Sequence, residues 1–426
     1  MPADRSSRVH AIYEVETSFP LEDAIAVMAG EQSSGTFLAV PGETPELKQK
    51  YGARIEWIRE IGTRAAPSLP GARTPKGLAQ PVWRRAQTEL SWPIDNLGAS
   101  VPNLLATVAG NLFELQQFSA LRLLDIMLPD CFRTAYPGPQ FGIAGTRRLS
   151  GVENGPLIGT IVKPSVGLSP EQTASLVDEL AAGGIDFVKD DELQCDGPHC
   201  PFSDRVEAVM RVIRNHAERT GKKVMYAFNV TGEIEQMVRR HDLVEKHGGT
   251  CVMVSLNSVG LAGVEYLRRH CRLPIHAHRN GWGLMQRSPD IGIDYVTFQK
   301  FWRLLGVDHM HVNGLRNKFC ESDESVLRSA RACLTPMFDG AGRGCEVMPV
   351  FSSGQTVRQA PDTWRELGSA DLIYAAGGGL MAHPAGVSAG VRAMRQAWEA
   401  AMSGIDLEAH ARSHGELRQA LEKYSV

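Results

Sequence analysis

From residue 156 onward the chain repeats one unit, a short apolar run followed by a stretch with helical spacing, and this rhythm predicts parallel βα units. Eight such runs can be read as strands: "LIGTIVK" (157 to 163), "IDFVK" (185 to 189), "KVMYAFN" (223 to 229), "CVMVSL" (251 to 256), "LPIHAHR" (273 to 279), "HMHVN" (309 to 313), "CEVMPVFS" (345 to 352) and "LIYAA" (372 to 376). Eight is the number that closes a TIM (β/α)8 barrel, and the span from 146 to 402 supplies the roughly 250 residues such a barrel needs. Between the runs lie helix signals such as "SPEQTASLVDELAAGG", where Ser169 can cap, Pro170 fits the first turn and Gly183 can stop the helix.

In such barrels the active site lies at the carboxyl ends of the strands. Reading each run to its end gives Lys163, then Lys189 with Asp191 and Glu192, Asn229, Ser255, His278 with Arg279, His311, Ser352, and the triplet Gly377 to Gly379. All would face one mouth. A polar residue at one strand end is unremarkable, because strands must meet loops; metal-ligand, base or anion-binding types at every end are a functional pattern.

Asp191 and Glu192 supply hard oxygen ligands of the kind Mg2+ takes. Lys189 stands two residues before Asp191 and points to the same side of a strand. Its ammonium can pair with Asp191, or its neutral amine can take up CO2 as a carbamate and become a third anionic ligand; the residues leave both open. "AAGGGLMAHPAG" places glycine N–H groups after the last strand, where barrels bind phosphate. Arg279 can grip an anion bidentately, with His311 and Ser352 as further donors. Two anion-binding groupings flanking a metal imply a substrate with a phosphate at one end and a second anionic group at the other.

Residues 1 to 145 read differently. "RVHAIYEVET" and "ARIEWIREI" alternate like half-buried strands, while "LEDAIAVMAG" and "VPNLLATVAGNLFELQQF" have helical spacing. An α+β, ferredoxin-like N-terminal domain with an antiparallel sheet is expected, joined to the barrel through the Pro/Gly-rich 135 to 145. Residues 403 to 426 read as a helical extension. With 45 Lys+Arg against 48 Asp+Glu the net charge is -3, which gives no global field for nucleic acid or anionic membrane. The sequence shows no signal-peptide pattern and no run of about 18 apolar residues, so a cytoplasmic protein is expected. The eight cysteines form no CxxC pair. Cys195, His199 and Cys200 lack a fourth ligand at knuckle spacing and read as a polar loop rather than a zinc site.

These motifs, in this order, resemble the large subunit of ribulose-bisphosphate carboxylase/oxygenase (RuBisCO), from "EQSSGTF" (31 to 37) through "GTIVKPSVGLSP", "GGIDFVKDDEL", "HAHR", "DHMHVNG", "PVFSSGQ" and "AGGGLMAHP". The resemblance implies that Lys163 handles the substrate proton, that Lys189 is carbamylated by CO2, and that Lys189, Asp191 and Glu192 bind Mg2+. His278 matches a catalytic histidine, and Lys318 falls where a mobile loop carries its lysine. Arg279, His311 and Ser352 match one phosphate site; Thr36, Gly354, Gly377 and Gly378 match the other. Glu31, Thr36 and Asn111 match positions that a second subunit contributes, which implies a homodimer with shared sites, or an oligomer of dimers, without a small subunit.

The departures are informative. Carboxylases read "KPK" where this chain has Lys163-Pro164-Ser165, their loop lacks the "RNKFCES" seen here, and Phe37 replaces a tryptophan. Carboxylation of ribulose bisphosphate is therefore not expected, and the chain resembles a form IV RuBisCO-like protein. The 2,3-diketo-5-methylthiopentyl-1-phosphate enolases carry their base lysine at the position of Asn111 and lack the His-Arg pair kept here. Isomerases of 5-methylthioribulose-1-phosphate usually keep "KPK". The reading leans to cleavage or decarboxylation of 3-oxo-isoapionate-4-phosphate by a Mg2+-dependent, enolate-forming lyase or hydrolase. The sulfur-salvage isomerase and a non-catalytic relative remain as alternatives.

Overall fold

The computed structural model of the chain describes residues 7–35, 40–77, 79–340 and 342–424. Thr36 and Phe37 lie outside the described residues. The chain divides into two compact units, Met1–Pro137 with Trp282–Leu304 and Met337–Gly344, and Gly138–Gly281 with Leu305–Pro336 and Cys345–Val426.

In the first unit the strands Ala120–Met127, Arg8–Thr17, Trp83–Pro93 and Arg54–Arg64 lie side by side in that order, each antiparallel to its neighbour. With the helices Leu21–Glu31 and Val101–Val108 in the crossovers this is a βαββαβ, ferredoxin-like arrangement. Val9, Ala11, Tyr13 and Val15 are fully buried on one face of their strand, as the alternation predicts. Strand 54–64 is the sheet edge and is exposed on most of its length. Two strands were not legible in the sequence, 83–93 and 120–127. In strand 83–93 buried polar residues are held inside the sheet by partners distant in sequence, such as Ser91 Oγ accepting from Arg8 Nε at 2.7 Å, so the apolar alternation is broken. A fifth strand, Ile291–Ile293, adds parallel to 120–127. It comes from the connection between the fifth and sixth barrel strands, which makes this unit discontinuous in sequence.

In the second unit the eight apolar runs form a closed parallel barrel, with strands Leu157–Ile161, Phe187–Lys189, Met225–Asn229, Cys251–Ser255, Ile275–His278, His309–His311, Met348–Phe351 and Ile373–Ala375. Each is buried on both faces, which is why it reads as a continuous run. Layers of inward side chains such as Phe187, Met225, Met253 and Met348 fill the interior. The helix Pro170–Ala182 starts as expected: Ser169 and Gln172 form a reciprocal capping box, and Gly183 ends it. The segment read as a linker runs into the helix Gly142–Ser150; the N–H groups of Phe141 and Gly142 donate to the Asp308 carboxylate at 2.7 and 2.8 Å. Residues 407–411 and 415–423 are helical, as expected for the C-terminal extension.

Candidate active site at the barrel mouth

The second strand ends Phe187-Val188-Lys189, and its pleat decides which acidic residues enter the mouth. Lys189 and Asp191 lie on one side, and Asp190 on the other. Asp190 is fully buried, accepting from Arg205 Nη2 at 3.1 Å, Tyr226 OH at 2.6 Å and the Asn229 N–H at 2.8 Å. It is a structural anchor. Lys189 is 0% exposed; its Nζ donates to the Asp190 carbonyl at 2.7 Å and lies 3.8 Å from Glu192 Oε2. Burial pulls the amine down to about 8, against the raising effect of Glu192, Asp191 and Asp190. The partner of Asp191 is Lys163, whose Nζ donates to Asp191 Oδ2 at 2.6 Å and to Ser165 Oγ at 2.8 Å. Burial pushes the Asp191 carboxyl up, but Lys163 and the Leu193 N–H hold it below the ordinary carboxylate value. Asn229 supports the turn by donating to the carbonyls of Asp191 and Glu192.

His278, ending the fifth strand, places Nε2 3.5 Å from Glu192 Oε2. Burial, with the charge of Lys189, lowers its pKa to about 4, so the ring is neutral at pH 7. Lys163, Lys189, Asp191, Glu192 and His278 thus share one cluster. Two carboxylates flanked by two amines, one of them buried and depressed, are a donor set that suits a hard divalent cation once the amine becomes a carbamate.

Arg279 pairs with Glu321 at 2.9 Å, both almost buried at 9% and 3% side-chain exposure. Glu321 also accepts from Asn313 Nδ2 at 2.6 Å and Ser325 Oγ at 2.9 Å. His311 Nδ1 lies 3.0 Å from Ser352 Oγ, and its Nε2 is 2.8 Å from Nε2 of His276. Asn313 and Ser353 adopt φ of 67° and 69°, a left-handed conformation costly for non-glycine residues, and are tied together by Ser353 Oγ donating to Asn313 Oδ1 at 2.7 Å. Lys318 packs on this ledge through its N–H to the Ser353 carbonyl at 3.2 Å, and a Cβ on Gly354 would sit 3.6 Å from its own. Gly377 faces Lys163: a Cβ there would lie 3.8 Å from Lys163 Cε. Gly378 opens the short helix Gly378–Met381, and a Cβ on Gly379 would land 2.0 Å from the Gln355 carbonyl, so only glycine fits.

Of the remaining expected residues, Glu31 and Asn111 belong to the first unit, where Asn111 Nδ2 donates to Glu31 Oε1 at 3.5 Å. Thr36 lies outside the described residues. Sequence reading passed over Glu321, the first acidic residue after Lys318, and the histidines His276 and His309 behind His311.

Other polar groups do different work. Cys195 Sγ donates to the Thr231 carbonyl, His199 Nε2 meets the Gly167 carbonyl and Cys200 lies by Arg205, so the three do not converge on a metal. His241, Asp242 and His270 do cluster on helices outside the barrel. There the Arg272 N–H donates to His241 Nε2, which puts the proton of a neutral ring on Nδ1, facing Asp242 at 3.0 Å. That is a hydrogen-bonded tie between helices, with the nitrogen lone pair turned away from a metal. A cleft of about 770 Å3 is lined by Arg148, Asp186, Lys222 and Arg395, at the amino ends of the strands and away from the mouth cluster.

The profile of "Ribulose bisphosphate carboxylase large chain, catalytic domain" matches residues 142–424, and that of its N-terminal domain matches residues 4–132. The chain is 58% identical to a 3-oxo-isoapionate-4-phosphate transcarboxylase/hydrolase of Xanthobacter autotrophicus, over 98% of this chain and 99% of that protein. It is 44% identical to a 3-oxo-isoapionate-4-phosphate decarboxylase of Rhizobium etli, over 97% and 98%. Among solved structures, a RuBisCO-like protein from Burkholderia fungorum superposes with a TM-score of 0.91 at 44% identity, over 98% of this chain and 100% of that one.

Proposed function

Because the chain belongs to the ribulose bisphosphate carboxylase large-chain family and is an enzyme of its RuBisCO-like group, we propose that it cleaves the carboxyl group from 3-oxo-isoapionate-4-phosphate, by hydrolysis, transfer or decarboxylation, rather than fixing CO2. The observation that carries this reading is the 58% identity, over nearly the full length of both chains, to the Xanthobacter enzyme of that name. A β-keto acid is the right substrate for the mouth cluster. Breaking the bond between its carboxyl carbon and the neighbouring carbon leaves on that neighbour an electron pair that the ketone stores as an enolate, while the carboxyl carbon departs as CO2 or passes to an acceptor such as water.

The chain's own residues account for the handling of protons and charge. Lys163, held by Asp191 and Ser165, carries a proton at the mouth and delivers it to the enolate carbon. Neutral His278 stands beside Glu192 and shuttles a proton at a substrate hydroxyl. Gly354, Gly377 and Gly378 offer backbone N–H groups to the phosphate, with Lys318 alongside. Asp191, Glu192 and the carbamate of Lys189 would hold Mg2+, and a bound Mg2+ supplies electrostatic stabilisation of the enolate oxygen. With the Lys189 amine at about 8, roughly a tenth of it is neutral at pH 7 and open to CO2. Ser165, in place of the second lysine of carboxylases, removes a cation from the side of the mouth where CO2 would be polarised.

Glu31, Asn111 and Thr36 are proposed to complete the site of a second copy in a homodimer. No helix among the described residues is long and apolar enough to cross a membrane, and a cytoplasmic location is proposed. The test is incubation of the purified protein with Mg2+, bicarbonate and 3-oxo-isoapionate-4-phosphate, followed by phosphorus NMR and mass spectrometry, with 5-methylthioribulose-1-phosphate as comparison. Consumption of the first with loss of its carboxyl group is expected. Turnover of the second alone would replace this reading with the sulfur-salvage one.

A further inference from the structure

The cleft at the amino ends of the barrel strands is built around one buried carboxylate, Asp186, three residues before Lys189 on the same run. Asp186 is fully buried; its Oδ2 accepts from the Ile158 N–H at 2.8 Å and from Arg395 Nη2 at 3.0 Å, and its Oδ1 accepts from Lys222 Nζ at 2.5 Å. Both cations also donate to the Gly184 carbonyl at 2.8 Å. Lys222 follows the helix Phe202–Thr220 and Arg395 lies on the helix Val387–Met402, so one carboxylate braces two cations far apart in sequence. Their side chains remain 34% and 36% exposed, fixed in place yet open to the cleft that they line.

Unspent hydrogen-bond donors set what this cleft can hold. Lys222 keeps one N–H, and Arg395 keeps those on Nη1 and Nε. Arg148 is exposed and makes no hydrogen bond or ion pair among the described residues, so its whole guanidinium is available. Lys223 adds a fourth cation, its Nζ donating to the Gly248 carbonyl at 2.9 Å. The lining sets two carboxylates against these four: Asp186, whose oxygens already have donors, and the exposed Glu153. Positive charge thus collects here in a chain whose net charge is -3. The volume of about 770 Å3 is that of a small-molecule site. Among the described residues no aromatic side chain lines the cleft, so a nucleobase would find no face to stack on. The Asn154 amide is exposed and without a partner among the described residues, and it offers both donors and an acceptor to hydroxyl groups.

We propose that this cleft binds a small sugar phosphate, with the phosphate between Arg148 and the Lys222–Arg395 pair and the hydroxyl groups toward Asn154. The two guanidinium groups have the forked geometry that grips phosphate oxygens. Because Asp186 already holds Lys222 and Arg395, binding costs less side-chain freedom than two unbraced cations would lose. The site is separate from the mouth cluster and does not depend on the reaction proposed there.

The experiment is calorimetric titration of the full chain with glucose 6-phosphate, inorganic phosphate and glucose, at about 0.15 M salt so that distant surface charges are screened. Glucose 6-phosphate should bind the wild type and the mouth variant Lys163→Ala alike, and Arg148→Ala about tenfold or more weakly. Arg148 is exposed and unpaired among the described residues, so its loss leaves the fold intact, and the melting temperature checks this. Asn154→Ala should weaken glucose 6-phosphate and leave inorganic phosphate unchanged, which separates a sugar phosphate from the free anion. Equal affinity in Arg148→Ala, loss of binding in Lys163→Ala, inorganic phosphate bound as tightly as the ester, or no binding of the ester at all would each overturn the proposal. Crystals soaked in glucose 6-phosphate should show it beside Arg148 and Arg395, and a ligand at the mouth alone would overturn it equally. Turnover is no part of these readouts, so an inactive protein that binds as expected defeats the proposed reaction alone, and an active one that does not defeats this proposal alone.

Discussion

Lys163 Nζ donates to Asp191 Oδ2 at 2.6 Å, so the lysine that ends the first barrel strand neutralises a carboxylate that ends the second. That pairing leaves Lys189, the other amine of the cluster, buried with the Asp190 carbonyl and a distant Glu192, and it divides the work between the two lysines. Replacement of Lys163 by alanine is expected to lower kcat by about 10²- to 10⁴-fold, the usual weight of a general acid–base group. Steady-state kinetics with the proposed substrate check it, with circular dichroism confirming the fold.

For Lys189 the expectation concerns pH. Its amine is lowered to about 8 by burial, and only the neutral form takes up CO2. The rate of activation by CO2 and Mg2+ should rise roughly fivefold between pH 7 and 8 and level off above about 9. An amine near the ordinary lysine value would go on gaining about tenfold per unit to pH 10. Lys189→Ala should abolish Mg2+-dependent turnover, and unchanged turnover would remove the carbamate from the mechanism.

His309 is lowered to about 3 and His276 and His311 well below their ordinary value, all by burial first. The unfolded chain takes up protons on them below about 6.5 while the folded chain does not, so stability rises with pH across that window and is lost as pH falls from about 6.5 toward 3. Urea midpoints at pH 7 and pH 5 measure the loss. In His309→Gln the difference between the two pH values should shrink by of order 1–2 kcal/mol, the share of one buried histidine.

Arg205 and Asp190 form an ion pair with neither side chain exposed. Arg205→Ala leaves a buried carboxylate without its cation and is expected to destabilise the barrel unit by about 3–5 kcal/mol. The double variant Arg205→Met/Asp190→Leu should recover part of that loss, because neither charge then stays buried. Denaturant titration of the three proteins provides the comparison.

Gly379→Ala forces a Cβ to within 2.0 Å of the Gln355 carbonyl, and the turn carrying Gly377 and Gly378 must shift. The expected result is a KM for the phosphorylated substrate raised on the order of tenfold, about 1.4 kcal/mol of binding. The melting temperature serves as the control for a merely structural loss.

The barrel was legible because parallel strands buried on both faces leave uninterrupted apolar runs, and the polar residue that ends each run marks the mouth. The same local rule separates the two aspartates of "KDDEL": a strand turns alternate residues to opposite sides, so Asp190 faces away from Lys189 and Asp191. Strand 83–93 was hidden because its buried polar residues are satisfied by partners distant in sequence, Ser91 by Arg8 among them, and strand 120–127 because a bulge opposite Ile12 and Tyr13 breaks its alternation.

Sequence by itself determined the barrel strands, their order and the inventory of acids, bases and cations at the strand ends, since periodicity and strand termination are properties of neighbouring residues. Tertiary structure alone decided which charges meet. Lys163 rather than Lys189 takes Asp191, Glu321 takes Arg279, and Ile291–Ile293 leaves the barrel to join the other sheet. Each depends on the chain folding back to bring together groups 28, 42 and about 170 residues apart, and an ion pair or a strand pairing at that separation leaves no period in the sequence.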